Sequence, residues 1–277
     1  MERAASLGLR ALSLTDHDTM SGIDQAWSVS RRLGLTFVPG VELSTDVPGA
    51  ECHILGYFVD HRHPALREAL AEFQRGRRER GVLMVERLYD LGVPVSWERV
   101  QELAQGGTVA RPHVAEALLE AGHVSSRQEA FERFIGNGGP AYVSRCKLSP
   151  EESIRLVRQA HGVPVLAHPT FADPGYDFTV DPSQQANWPF LERLCQVGLL
   201  GLEAYYSNYT PDLSARLVAL ARQHGLIVTG GSDFHGSPES PALGSVPVPL
   251  EAVSDLQVLA ECCGSPWMDR VLTSARS

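Results

Sequence analysis

The 277-residue sequence has no CxxC pair, and its five cysteines (Cys52, Cys146, Cys195, Cys262 and Cys263) are an odd number. A disulfide framework is therefore not expected, and reduced thiols are. No apolar run is long enough to span a bilayer. The opening stretch, MERAASLGLR, lacks the apolar core of a signal peptide. A soluble cytoplasmic protein with no membrane partner is the expectation. Positive charge is also in short supply: 24 Lys and Arg stand against 33 Asp and Glu, for a net charge of −9. Non-specific binding to duplex DNA needs a basic field, so that class is disfavoured. Small anionic substrates remain open, provided metals or local arginines offset the repulsion. Internal repeats and low-complexity tracts are absent.

What is present is a 43% apolar share, enough for one barrel-sized domain or a domain with an insert. Residues 1–10 read as a helix tail ending near Gly8. Short apolar runs at Ala11–Thr15, Thr36–Val41, Cys52–Val59, Pro164–Ala167, Leu199–Tyr205 and Leu226–Thr229 read as strands. Helices between them are expected over Ile23–Leu33 with Gly34 as the stop, from Ser149-Pro150-Glu151-Glu152 to His161-Gly162, over Leu191–Val197, and from Thr210-Pro211 to Gly225. The strand–helix rhythm predicts parallel α/β architecture and most of a barrel.

Residues 63–140 break that rhythm. Helices are expected from Pro64 to about Asp90, then around Glu98–Ala104, Val114–Ala121 and Gln128–Phe134, punctuated by Gly92 and Gly106-Gly107. The division is thus an α/β barrel over residues 1–62 and 141–277, with a helical insertion over 63–140 that could cap a site. The basic run Arg75–Gly81 reads first as a solvated helix face. The final forty or so residues carry mixed signals.

Chemistry-bearing side chains recur at or near strand ends. His17 stands between Asp16 and Asp18, Glu42 follows Gly40-Val41, His53 lies near the start of its strand, and His168 precedes Pro169. Asp233 and His235 follow the Gly230-Gly231 pair, which reads as the end of its strand. In parallel α/β folds the carboxyl ends of strands are where sites are built. A mixed imidazole–carboxylate set suits Zn, Mn or Fe(II) without choosing among them. Ions held by such a set lower the pKa of bound water and offset charge on a phosphoryl oxygen.

Five stretches carry a family likeness: Thr15-Asp16-His17-Asp18, Gly40-Val41-Glu42-Leu43-Ser44, His53-Ile54-Leu55-Gly56-Tyr57, Ala167-His168-Pro169 and Gly231-Ser232-Asp233-Phe234-His235. In that order and spacing they resemble the later motifs of the polymerase-and-histidinol-phosphatase (PHP) family. The likeness covers roughly residues 9–245 and is strongest to the branch of nucleoside 3′,5′-bisphosphate phosphatases and a related 5′→3′ exoribonuclease. It implies a distorted (β/α)7 barrel with a trinuclear metal site and capping helices. It implies His17, Glu42, His53, His168, Asp233 and His235 as metal ligands, with Glu42 bridging and with His17, Glu42 and Asp233 in the catalytic set. Arg111 and His113, in the Arg-Pro-His of the insert, would bind substrate phosphate, and Tyr142 and Lys147 could line the pocket. Asp16 and Asp18 would orient histidine ligands. The expected reaction is metal-dependent hydrolysis of a phosphate ester on a small substrate such as a nucleoside 3′,5′-bisphosphate, or trimming of short RNA 5′ ends.

The likeness begins after the family's first strand, which bears a His-x-His pair and a following Asp absent here. The reading favoured is a true start roughly thirty residues upstream, one strand and one helix of ordinary length. The alternative is a truncated, non-catalytic remnant serving as a binding module.

Overall fold

The computed structural model describes residues 1–47, 50–104, 107–144, 147–173, 176–179, 188–236 and 240–274. Gly106 and Cys146 lie outside them. The chain divides into two compact units: residues 1–67 with 148–277, and residues 68–147.

The first unit is a mixed α/β half-barrel. Its curled sheet runs in the order β1 (Ala11–Leu14), β2 (Thr36–Val47), β3 (Ala50–Tyr57), β4 (Val163–Leu166), β5 (Gly201–Tyr206) and β6 (Ile227–Gly231). The pairs β1–β2, β4–β5 and β5–β6 are parallel. The expectation of parallel pairing fails at β3, which is antiparallel to both β2 and β4. Two residues separate β2 from β3. So short a link can join only an antiparallel pair, because a parallel crossover needs a dozen residues or more. Strand β2 also runs past its expected end at Val41, so Glu42 lies within it.

Local signals place the helices of this unit. Glu2–Ser6 forms α1. Helix α2 spans Ile23–Leu33 and stops at Gly34, whose left-handed φ of 65° an L side chain rarely adopts. Helix α7 (Pro150–Gln159) opens with the capping box of Ser149 and Glu152. Helices α8 (Pro189–Gln196) and α9 (Pro211–Gln223) precede β5 and β6. The last stretch forms α10 (Glu251–Cys262) and α11 (Trp267–Ser274). Phe37, Phe58, Val165, Leu256 and Trp267 share one buried apolar cluster of this unit. Trp267 is fixed in it by donating Nε1–H to the Val59 carbonyl at 2.8 Å.

The second unit is helical: α3 (Pro64–Asp90) enters it, followed by α4 (Trp97–Leu103), α5 (Arg111–Glu120) and α6 (Arg127–Ala130), which runs on as a π-turn over Phe131–Ile135. Met84, Leu88, Val114, Leu118 and Ile135 are buried together as its core. The basic run is split by helical periodicity: Arg75 and Arg78 face solvent, whereas Arg77 is buried. No helix among the described residues is long and apolar enough to cross a membrane.

Candidate metal centre

Glu42 is the centre of the first unit's polar core. Its backbone is clamped to the segment after β1, donating N–H to the Asp16 carbonyl (3.2 Å) and accepting from the Asp18 N–H (2.9 Å). Asp18 Oδ1 in turn accepts the Ser44 N–H at 2.9 Å. This ladder extends β2 beyond the end of β1 and sets His17 beside Glu42.

Three imidazoles surround the Glu42 carboxylate. His53 Nδ1 stands 2.7 Å and His168 Nε2 3.3 Å from Oε1, and His17 Nδ1 stands 3.6 Å from Oε2. His53 reaches this point because β3 is reversed: the start of β3 lies where the parallel strands end. It pairs with Ser44 of β2, and its carbonyl accepts the Ala167 N–H just beyond β4. The His17 ring is 5.6 Å from that of His235. Asp233 stands beside its own neighbour, with the carbonyl 2.8 Å from His235 Nδ1, and its Oδ2 accepts the Tyr206 hydroxyl at 3.0 Å. The Tyr206 ring lies 5.7 Å from His168, which closes the circuit. His17, Glu42, His53, His168, Asp233 and His235 thus gather at one end of the sheet.

Two residues there were not singled out from the sequence, Glu203 and Tyr206. Both lie on β5 at odd spacing, so a regular strand would point them to opposite faces. The register slips between Glu203 and Tyr205 against β6, and that bulge brings both to the same site. It also explains Gly230, which lies inside β6 and not beyond it: a Cβ there would stand 2.5 Å from the Tyr205 backbone oxygen. Glu203 is buried, and its Oε2 accepts the His168 N–H at 2.8 Å. The available signal was an acid inside the otherwise apolar run LLGLEAY, since a buried carboxylate is costly without a task.

The electrostatics are tightly coupled. Burial would raise the Glu42 carboxyl, but the His17 and His53 charges and the hydrogen bonds from His168 and His53 hold it well below the usual range. Burial would lower His168, but its hydrogen bond to Glu42 and the charges of Glu42, Glu203 and Asp233 raise it to about 9. Burial pushes Glu203 up to about 7, against the opposing pull of His168. Asp16 is raised by burial, opposed by His235. The backbone is strained at the same place: Asp18, His168 and Asp233 have φ of 54°, 25° and 52°. Non-glycine residues hold such angles at a cost, and they collect at functional sites.

This donor set fits a divalent cation. His53 Nδ1 and His168 Nε2 face each other at 3.1 Å over one carboxylate oxygen. Without their protons, both nitrogens would turn lone pairs toward a point that a metal ion could take up. Donor atoms of His17, Glu42 and His53 all fall within 4.8 Å of one another. His168 Nδ1 is buried with no hydrogen-bond partner among the described residues, so imidazole orientation here is fixed through Nε2.

The chain matches curated proteins over most of its length. The chain is 35% identical to the 5′-3′ exoribonuclease Rnm of Escherichia coli over 237 residues, covering 85% of this chain and 78% of that protein. The chain belongs to the PHP family of metal-dependent phosphoesterases. It is 30% identical to the 3′,5′-nucleoside bisphosphate phosphatase of Chromobacterium violaceum, covering 86% of this chain and 81% of that one. A solved structure of a protein assigned as a metal-dependent phosphoesterase, from Bifidobacterium adolescentis, superposes with a TM-score of 0.81 at 30% identity, covering 93% and 88% of the two chains. No family model matches the chain. Like its PHP relatives, the protein is a hydrolytic phosphoesterase that uses divalent metal.

In the helical unit, Arg111 and His113 open α5. His113 Nδ1 accepts the Ala110 N–H at 3.0 Å, which caps the helix and leaves the ring proton on Nε2 in the neutral form. Burial, with Arg127 and Arg77 nearby, lowers the His113 pKa and keeps that form. The Arg111 guanidinium lies over the Phe131 and Tyr142 rings at 5.5 and 5.9 Å and donates to Asn137 Oδ1 at 3.2 Å. Arg77, Arg80 and Arg111 line one small pocket of this unit.

Proposed function

We propose that the PHP centre of this chain hydrolyses a phosphate ester of a nucleotide, with a nucleoside 3′,5′-bisphosphate as substrate. The observation that carries the reading is one buried carboxylate, Glu42, with imidazoles against both of its oxygens. In this proposal His17, Glu42, His53, His168, Asp233 and His235 hold up to three divalent ions, with Mn, Zn or Fe as candidates. Bound there, the ions supply a lowered pKa for water and charge neutralisation at phosphorus. The protein's own part is separate. Glu42 keeps its negative charge through the whole neutral range because its pKa is depressed. Glu203 fixes the strained His168 backbone through the N–H it accepts. Tyr206 orients the Asp233 carboxylate by donating to Oδ2.

The family likeness also offers Arg111 and His113 as phosphate binders, Arg as a two-pronged donor and His through Nε2–H. The helical unit is their carrier and, in this reading, a cap. A cytoplasmic setting belongs to the same proposal.

The test is manganese- or zinc-dependent phosphate release from adenosine 3′,5′-bisphosphate, with metal content measured on the same sample. Glu42→Ala is expected to lose the metal and the activity together. A variant that keeps both sinks the reading, and so does a wild-type protein that takes up no divalent ion.

A second reading, 5′→3′ trimming of short RNA, is favoured by the higher identity to the exoribonuclease than to the phosphatase. Relative turnover of a nucleoside bisphosphate and of a 5′-phosphorylated trinucleotide separates the two.

A further inference from the structure

We propose that Phe171, flanked by Tyr206 and Tyr209, is an aromatic shelf on which the base of a nucleotide stacks while its phosphate lies beside His168. The inference rests on the nucleotide reading above and adds the element that recognises the base.

The shelf begins one turn from the metal centre. His168 leads directly into a short 3₁₀ turn, Pro169–Phe171, whose Phe171 N–H returns to the His168 carbonyl at 3.1 Å. That turn delivers the Phe171 ring to within 5.5 Å of the His168 imidazole, between ring centroids. Yet Phe171 is 44% exposed. Among the described residues it is in neither of the two buried apolar clusters named above. A large apolar ring left exposed at the lip of a polar site points to a ligand with an apolar face.

The neighbouring rings are held in place by their polar ends. Tyr206 is fixed through Asp233 and stands 6.3 Å from Phe171 at an interplanar angle of 78°. Tyr209 stands 5.2 Å from Tyr206, and its hydroxyl lies 3.1 Å from Thr170 Oγ1, on the same turn as Phe171. The result is an exposed ring, that of Phe171, with a second ring edge-on beside it. A base lying on Phe171 would meet the Tyr206 ring at its rim, the edge-to-face geometry aromatic pairs prefer. A phosphate at His168 puts the base one sugar away, which is the order of the ring separations seen. Stacking of this kind tolerates any base, because every base has a π-face.

The test is calorimetric binding of adenosine 5′-monophosphate and of ribose 5-phosphate to the manganese-loaded full chain. The wild type is expected to bind the nucleotide about tenfold or more tightly than the sugar phosphate. Phe171→Ala should erase that ratio and leave the sugar phosphate affinity unchanged, whereas Phe171→Trp should keep the ratio. Phe171→Leu, which retains apolar bulk without a π-face, should lose most of it. Thermal melts show whether each variant is folded. A wild-type ratio near one, no measurable nucleotide binding, or equal losses for both ligands in Phe171→Ala and Phe171→Leu overturns the shelf. Phosphate release is scored separately. A protein that hydrolyses both substrates without base preference keeps the phosphoesterase reading and loses the shelf. One that binds nucleotide through Phe171 without turnover does the reverse.

Discussion

Glu42 in the sheet unit and Arg111 in the helical unit are both charged groups set among aromatic or imidazole rings, but their surroundings differ in kind. Arg111 lies over Phe131 and Tyr142 and donates to Asn137, two rings and an amide. Arg80 likewise donates to the Val143 carbonyl and lies over Tyr142. Glu42 is surrounded by groups that titrate, with a second buried acid, Glu203, whose charge helps raise His168 and whose own pKa is raised by burial. Around it three non-glycine residues hold left-handed backbone angles. The helical unit is locally consistent. The strand ends keep strain and like charge in one place, an arrangement that an added cation relieves and that folding alone would not select.

The comparison breaks first at Glu42. Glu42→Ala should lower metal-dependent phosphate release by about a thousandfold or more, since the ions it would hold contribute several kcal/mol to the transition state. Initial rates under saturating metal check this. If the loss is under tenfold, the polar core is structural and the contrast disappears.

Glu203 sharpens it. Glu203→Ala leaves the buried His168 N–H without its acceptor, a cost of about 1–3 kcal/mol in denaturant unfolding. Activity should fall about 10- to 100-fold, as for groups that orient ligands. Glu203→Gln keeps an oxygen acceptor and should recover most of the stability. Equal melting of Glu203→Ala and wild type would remove Glu203 from the account.

The pH dependence of the metal-free protein is the next test. His168 and Glu203 both have pKa values raised by folding, so each binds more protons in the folded state. Their stabilisation is complete below the unfolded value and is lost as pH rises through the folded one. For Glu203 that window runs from 4.5 to about 7, and for His168 from 6.5 to about 9. Unfolding free energy should therefore decline across these ranges, by at most about 1.4 kcal/mol per pH unit for each proton. Glu42, depressed by its imidazoles, acts oppositely and loses its contribution as pH falls below 4.5. Glu42→Gln should flatten the upper window in urea titrations, because it removes the partner that raises His168. An unchanged slope would mean that another group sets it.

The smallest effect belongs to the helical unit. Arg111→Lys keeps the charge but loses the planar fork, so the Michaelis constant should rise several-fold with stability changed by less than about 1 kcal/mol. An unaltered Michaelis constant would leave Arg111 a packing residue.

Much of this protein is legible in short stretches. The Ser149/Glu152 capping box, Gly34 as the stop after α2, and the helix from Pro64 to Asp90 follow from residues that touch within a turn or two of each other. The strand-end candidates, from His17 to His235, are also named from the sequence, and the structure gathers them at one end of the sheet. The tertiary structure alone decided the reversal of β3 that turns His53 toward Glu42, and the β5 bulge that sets Glu203 and Tyr206 on the same site. It also decided the continuation of β2 through Glu42 and the two helices that close the chain. Strand direction and side-chain parity are fixed by pairing with partners far away in the chain, and a slip of one residue reverses every face. No window of sequence holds both members of such a pair, so the candidate donors could be named from the sequence, but the placing of Glu203 and Tyr206 beside them could not.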